Sequence, residues 1–412
     1  MKTLNLNSIV WAVVGLMLIG GCDKTPSTPN TQSKSMANVV GKTSTNQDDL
    51  AFAPVVPGYR FEFPRDHLAH NHFRQEWWYL TANLTTETGE QLGAQWTQFR
   101  VALNPTDLQT LVPQETTLQA IISHTTDLQA TDATPKSEST WATQQLYLAH
   151  SALTSSQTHL AHEKWSRRHS EFAEVKLDPY QIRLDNWRWQ SETNALFPAT
   201  LTVENSDFSY RLQLNSQAPL QYQGVNGYSL KSRDGQVASY YYSQPFIEIS
   251  GEINRNGKME RVTGQGWLDR EWSSQFLTKT QQGWDWFALR LNDDSTLMLF
   301  QLRDQSPAES AKNAPISAFY SARRMFTDGT GRNINSTDNP NDIQMTPLKW
   351  QHTVNGDYPV CWQVKIPSED IDLTITPLNP NSAMPLSTPY WEGPVQLAGS
   401  HTGTGYMELT GY

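Results

Sequence analysis

The sequence predicts an all-β protein built from two antiparallel barrels or sandwiches in tandem. One hairpin pattern occurs twice. The first copy is Glu76-Trp77-Trp78-Tyr79, a Thr/Gly turn over residues 86–89 and a strand ending Gln98-Phe99-Arg100. The second is Asp285-Trp286-Phe287, a turn over residues 292–295 and a strand ending Gln301-Leu302-Arg303. Self-similarity of this kind marks a duplicated unit. Two-residue alternation recurs in Trp96-Thr97-Gln98-Phe99-Arg100-Val101, Tyr210-Arg211-Leu212-Gln213-Leu214 and Ile247-Glu248-Ile249, with no long helical period to oppose it. The chain beyond Phe52 is also too long for one small barrel.

The N-terminus reads as an export signal over residues 1–22. Lys2 gives the positive end, and residues 9–19 form an apolar run too short for a stable membrane span. Leu18-Ile19-Gly20-Gly21-Cys22 places small residues before a cysteine, the pattern of a bacterial lipobox. Cleavage before Cys22 and its acylation would hold the protein on a membrane, at ~0.8 kcal/mol per buried CH₂. An ordinary signal peptide that contains a cysteine is the alternative. Asp23 occupies the place that retains lipoproteins at the inner membrane of enteric bacteria, so a periplasm-facing envelope protein is expected. Residues 23–51, rich in Thr, Ser, Asn, Gln and Pro, read as a flexible tether.

Two units follow, residues 52–245 and 246–412, the second beginning after Pro245. Asn256-Gly257 between two alternating runs signals a hairpin. A short helix is expected around residues 162–169, and a long loop within residues 104–135. Closing each sheet into a barrel removes its unpaired edges.

The chain has two cysteines. With Cys22 carrying lipid, Cys361 has no intramolecular disulfide partner, and its apolar setting reads as a buried inert thiol. A net charge of -10 without a Lys/Arg cluster argues against nucleic acid. Fifteen tryptophans among only 17% charged residues point to aromatic-lined interiors.

The acid–aromatic clusters carry any chemistry. In a strand, Glu76 and Trp78 face one side and Trp77 and Tyr79 the other. Glu76 is either salt-linked to an arginine such as Arg100 or a tuned acid in a ligand site. Trp267-Leu268-Asp269-Arg270-Glu271-Trp272 puts Trp267, Asp269 and Glu271 on one face, the two carboxyls about 7 Å apart. Such a pair suits acid–base work, or forms an ion-pair ladder with arginines. Tyr240 and Tyr242 share a face and offer either phenolic donors or an aromatic wall. His67, His70 and Glu76 lack metalloprotein spacing, and a hydrogen-bonding role at a barrel mouth is expected of them instead of a metal site. His150 reads as a core histidine bonded to a backbone carbonyl. Ser229 and Lys231 form too weak a pair to imply a hydrolase. Trp286, Trp391, Glu392 and Glu408 repeat the acid–aromatic theme near the C-terminus. No nucleotide or dinucleotide fingerprint is present, and no cofactor is expected.

Together these pieces resemble the carotenoid 1,2-hydratase and AttH-like lipocalin group. The matching residues are Asp66-His67, His70, Glu76-Trp77-Trp78-Tyr79, Ala149-His150, Ser239-Tyr240-Tyr241-Tyr242-Ser243 and Trp267-Leu268-Asp269-Arg270-Glu271-Trp272. Further matches are Gly283-Trp284-Asp285-Trp286-Phe287, Tyr390-Trp391-Glu392-Gly393 and the C-terminal residues 405–412. The resemblance implies two tandem lipocalin-like β-barrels. It also implies that Asp269 matches the aspartate that protonates a terminal double bond in the hydratase branch. That branch carries a His and a Trp where this chain has Tyr240-Tyr241-Tyr242, and a Tyr where Trp267 stands. This places the chain nearer the AttH-like, secreted branch. The expected function is to bind a hydrophobic lipid or isoprenoid ligand at the envelope, beside an ABC transporter. The alternatives are a hydratase or hydrolase and a structural interaction module. The expected catalytic set is Asp269, Glu271, Tyr240 and Tyr242. The expected ligand contacts are Glu76, Trp78, Trp267, Trp272, Trp286, Trp391 and Glu392.

Overall fold

A computed structural model of the chain describes residues 52–103, 143–304, 318–335, 339 and 341–412. The export signal, Cys22, Asp23, the tether and the 104–135 loop lie outside the described residues. Strand follows strand: β1 (Gln75–Thr86), β2 (Gln91–Ala102), β3 (Gln145–Ser155), β4 (His159–Arg167), β5 (Ala173–Lys176), β6 (Gln181–Leu184), β7 (Trp187–Ser191), β8 (Ala199–Glu204) and β9 (Phe208–Asn215). The short β10 (Gln221–Tyr222) and β11 (Tyr228–Leu230) precede the long hairpin β12 (Ala238–Arg255) and β13 (Lys258–Ser273). Then come β14 (Gln281–Leu291), β15 (Thr296–Asp304), β16 (Ala318–Met325), β17 (Gly331–Asn335), β18 (Gln344–Thr353) and β19 (Gly356–Ile366). The chain closes with β20 (Ile371–Pro377), β21 (Ala383–Met384), β22 (Tyr390–Gly399) and β23 (Gly403–Leu409).

Two antiparallel sheets result. The first runs β4-β3-β2-β1-β13-β12-β9-β8-β7-β6-β5 and curls until β3 and β4 approach β6, a nearly closed barrel. The second runs β17-β16-β15-β14-β23-β22-β20-β19-β18 and forms a half-barrel. The second order matches the first from β4 through β7, with β1 answering to β14, β13 to β23 and β12 to β22, and β6 and β5 extend the first sheet alone. The duplicated hairpins are β1–β2 and β14–β15, the leading hairpin at the centre of each sheet. Asn256 and Gly257 both take positive φ (51° and 86°) between β12 and β13, the backbone a two-residue hairpin turn demands.

Two expectations meet a different structure. Residues 162–169 lie mainly in β4, because pairing with β3 through His150–Glu163 and its neighbours outweighs any local helical preference. The division expected after Pro245 falls inside β12. The first sheet keeps the chain through Ser273, and the second begins at Gln281.

Strand alternation gives each sheet two buried faces. In the first, Trp78, Leu80, Ala82 and Leu84 point into the barrel interior, whose core also holds Trp96, Trp187 and Trp189. Tyr79 points outward into a second cluster with Tyr241, Trp267, Trp286 and Tyr406, drawn from both sheets. β1 and β2 lie against β23 and β22 there. Gly93 on β2 permits this approach, since a Cβ at that position would stand 2.5 Å from the Tyr406 hydroxyl and 2.6 Å from Pro394. The region where two outward faces meet is where the chemistry-bearing side chains collect.

Candidate functional site

A pocket lies between the sheets. Aromatic side chains dominate its wall, with Trp77, Tyr79 and Phe99 from β1 and β2, and Trp284, Trp286 and Phe300 from β14 and β15. Set into that wall are Asp269, Glu271, Glu408, Tyr241 and Lys231. An apolar cavity with few convergent polar groups is the usual form of a small-molecule site.

Cross-strand register explains which residues arrive. Asp269 pairs with Tyr79 on one side and Ser243 on the other, and Glu271 pairs with Trp77 and Tyr241. All of these therefore share the outward face. In the second sheet Glu408 pairs with Trp286 and Glu392. Glu271 and Glu408 thus each stand opposite a leading-hairpin tryptophan, Trp77 and Trp286.

Asp269 is fully buried. Tyr241 donates to its Oδ2 at 2.7 Å, the Trp267 indole to Oδ1 at 2.8 Å, and Ser243 also donates to Oδ1. Burial pushes its pKa up to about 7 despite those three donors, and Glu271 adds to the rise. Glu408 accepts from the Trp284 indole at 2.6 Å, and burial likewise raises its pKa to about 7. Glu392, behind the wall, accepts from Tyr79 at 2.5 Å and is held well above the ordinary carboxyl range by burial, then by Glu408. Glu271 differs, since Lys231 stands 2.6 Å away and Ser239 donates to it. The Lys231 ammonium also lies over the Phe300 and Tyr241 rings, at 4.3 and 5.0 Å from their centroids. The pocket thus holds one ion pair beside two carboxyls, Asp269 and Glu408, whose pKa values burial raises to about 7.

The other acid–aromatic motifs are scaffold. Glu76 faces the barrel interior, bonded to Arg100, to Arg270 at 3.1 Å and to His70 at 3.0 Å. Burial alone would raise its pKa, but Arg100, His70 and Arg270 together hold it well below the carboxylate range. Trp78 lies in the same interior under the Arg270 guanidinium, 3.9 Å from its ring centroid. Asp285 plays the corresponding part in the second sheet, bonded to Arg303 at 2.9 Å and to Tyr412 at 2.7 Å. Trp391 belongs to the second core, its indole donating to the Pro380 carbonyl.

Tyr240 and Tyr242 also face away from the pocket. Tyr240 bonds both backbone groups of Val56, and the Tyr242 hydroxyl lies 2.7 Å from His67 Nδ1. Trp272 stacks on His70 at 3.7 Å on that side. The reason is register: Tyr240 pairs with Trp272, so Tyr241 is the tyrosine that accompanies Glu271. Of the expected residues the structure brings Asp269, Glu271 and Trp286 to the pocket, with Trp267 and Glu392 directly behind. Glu76, Trp78, Tyr240, Tyr242, Trp272 and Trp391 it places elsewhere. Alternation on β12 separates Tyr241 from Tyr240 and Tyr242, and the register with β13 decides which face accompanies Glu271. His150 bonds the Tyr390 hydroxyl at 2.9 Å instead of a backbone carbonyl. Among the described residues no group of His, Cys, Asp and Glu is placed to hold a metal ion.

Comparison with known proteins places this architecture. The AttH-like family pattern matches residues 54–412. A crystal structure assigned to AttH from Nitrosomonas europaea shares 34% identity, covering 88% of this chain and all of that one, with a TM-score of 0.69. Kievitone hydratase from Nectria haematococca shares the fold at 14% identity and TM-score 0.57, over 92% of this chain and 97% of its own. No curated protein matches the chain. The two-sheet fold and the match over nearly all described residues identify the chain as a member of the AttH-like family.

Proposed function

We propose that the inter-sheet pocket binds an apolar, unsaturated ligand of the lipid or isoprenoid class, and that Asp269 acts on it as a general acid in a hydratase-type reaction. The carrying observation is Asp269 itself, a fully buried carboxyl with neutral hydrogen-bond donors and a pKa near 7, set in an aromatic wall. An acid in that state is poised to give up a proton at neutral pH. The Asp269 O–H bond breaks and the proton joins the terminal alkene carbon. The tertiary cation left behind is stabilised by aromatic faces such as Trp286 and Tyr241. Water adds through oxygen, and its surplus proton returns to Asp269, so no net proton is consumed. Glu271, paired with Lys231 at 2.6 Å, faces the positive charge as it forms.

The lipid anchor expected at Cys22 would keep the pocket at a membrane surface, where such ligands partition. A place beside an envelope ABC transporter belongs to the same reading. Two experiments test it. Organic extracts of protein purified from its native membrane should contain a reproducible apolar compound by mass spectrometry. Incubation with terminally unsaturated isoprenoids in heavy water should give an alcohol carrying one carbon-bound deuteron, and Asp269→Asn should abolish it. Bound compound without turnover would leave a carrier, and an empty protein would remove both roles.

A further inference from the structure

The pocket wall carries one acid that the proposed reaction does not use. Glu408 on β23 lines the pocket, and its strand partner Trp286 meets the Tyr79 ring edge-on at 5.1 Å. Tyr79 is in turn the strand partner of Asp269, so the two acids flank one aromatic contact. They differ in what they leave open. Asp269 and Glu271 are 1% and 4% exposed, whereas Glu408 is half-buried. Glu408 still lies deep enough for burial to push its pKa up to about 7, so the surface it keeps faces the pocket and not bulk water.

Most other polar groups on the wall are committed to protein partners. The Tyr241 and Tyr79 hydroxyls donate to Asp269 and Glu392, and the Tyr390 hydroxyl lies 2.9 Å from His150 Nδ1. The Trp284 and Trp286 indoles donate to Glu408 and to Tyr241. Among the described lining residues the one cation, Lys231, is paired with Glu271 at 2.6 Å. An anionic ligand would have to displace Glu271 and leave that carboxylate buried without its partner, which is strongly unfavourable.

We propose, resting on the apolar-ligand reading of the pocket, that Glu408 anchors the ligand by donating a hydrogen bond to an uncharged acceptor oxygen on it, that of an ether, ketone or hydroxyl. The ligand is then an oxygen-bearing isoprenoid-type chain and not an anionic lipid. Glu408 Oε1 holds the Trp284 indole at 2.6 Å, which leaves the acid O–H on the second oxygen for the ligand. Holding one point of the chain there fixes which part of it reaches Asp269.

The test is a binding series on the full-length protein with saturated probes, which cannot be hydrated. The probes are 2,6-dimethyloctane, 3,7-dimethyloctyl methyl ether and 3,7-dimethyloctanoate, and dissociation constants are read from tryptophan fluorescence. Glu408→Leu should weaken the ether about tenfold, as expected for loss of one good hydrogen bond, and leave the hydrocarbon within about twofold. Glu408→Gln keeps an oxygen for Trp284 and offers an N–H donor, so it should restore the ether. In the unmodified protein the ether should bind about tenfold more weakly at pH 8 than at pH 6, because the carboxylate cannot donate, and in Glu408→Gln this dependence should vanish. If Glu408→Leu loses the hydrocarbon as well, its pocket has collapsed, and the two pH profiles decide.

Ether affinity indifferent to Glu408→Leu, or a pH dependence that survives in Glu408→Gln, would overturn the anchor and leave the pocket reading standing. Tighter binding of 3,7-dimethyloctanoate than of the ether would overturn the uncharged class. Binding of neither ether nor hydrocarbon by the unmodified protein would remove the pocket reading together with the anchor.

Discussion

Glu76 and Asp269 are fully buried carboxyls on paired strands, yet their surroundings drive their pKa values in opposite directions. Glu76 meets Arg100 and Arg270 inside the barrel, whereas Asp269, on the outward face, takes its hydrogen bonds from a phenol, an indole and a hydroxyl. The difference comes from strand parity. Glu76 pairs with Trp272, and Asp269 with Tyr79. One carboxylate is built into the scaffold, and the other acid is left available to a ligand.

Breaking the Glu76 cluster should cost the fold heavily. Glu76→Gln leaves Arg100 and Arg270 buried without their carboxylate, which typically costs about 3–5 kcal/mol. Chemical denaturation should show a loss of that size, with most of the native signal gone at moderate denaturant.

The two acids predict opposite pH dependences of stability. Glu76 has a depressed pKa when folded, so its contribution is present above the unfolded value of 4.5 and is lost on acidification. Asp269 has a raised one, so its contribution is complete below 3.8 and is lost as pH rises through about 7. Thermal melts of Asp269→Asn should therefore lose less stability than the parent between pH 4 and pH 8. An unchanged slope would mean that Asp269 does not titrate in this range.

Neighbouring tyrosines should behave differently. Tyr241→Phe removes a donor that favours the Asp269 carboxylate, so the Asp269 titration should move to still higher pH. Tyr240→Phe should leave that titration in place and cost about 1 kcal/mol through the lost bonds to Val56. Comparing the two variants by carbon-detected NMR separates pocket face from scaffold face.

The closeness of the sheets can be tested at Gly93. Gly93→Ala forces the Tyr406 hydroxyl and Pro394 outward and should cost about 1–3 kcal/mol by overpacking. It should also weaken retention of any apolar ligand in the pocket between the sheets.

Much of this architecture was legible in the sequence. Alternation, the Asn256-Gly257 turn and the repeated acid–Trp hairpin gave two antiparallel sheets of one ancestry, and period-two parity separated Glu76 from Tyr79. Parity within one strand does not reach across to its partner, however. The choice of Tyr240 and Tyr242 over Tyr241 came from that gap, since the pairing register of β12 with β13 is a long-range property. The place of the site was hidden for a related reason. A barrel motif suggests an interior site, but here Trp78, Arg100 and Arg270 fill the interior and the pocket forms between the outward faces of two sheets. Trp391 was misplaced by the same reasoning. Nothing in a single strand showed that Glu392 and Tyr390 of the second sheet would meet Tyr79 and His150 of the first.

The most direct test of the account is the titration of Asp269. Carbon-13 labelling of aspartate, with Asp269→Asn to identify the resonance, follows this carboxyl through the neutral range in the folded protein. A midpoint near 7, moving upward in Tyr241→Phe, is the result expected of a protonated acid in a dry aromatic pocket. A midpoint near 4, that of an ordinary aspartate, would contradict the account and make Asp269 another structural carboxylate.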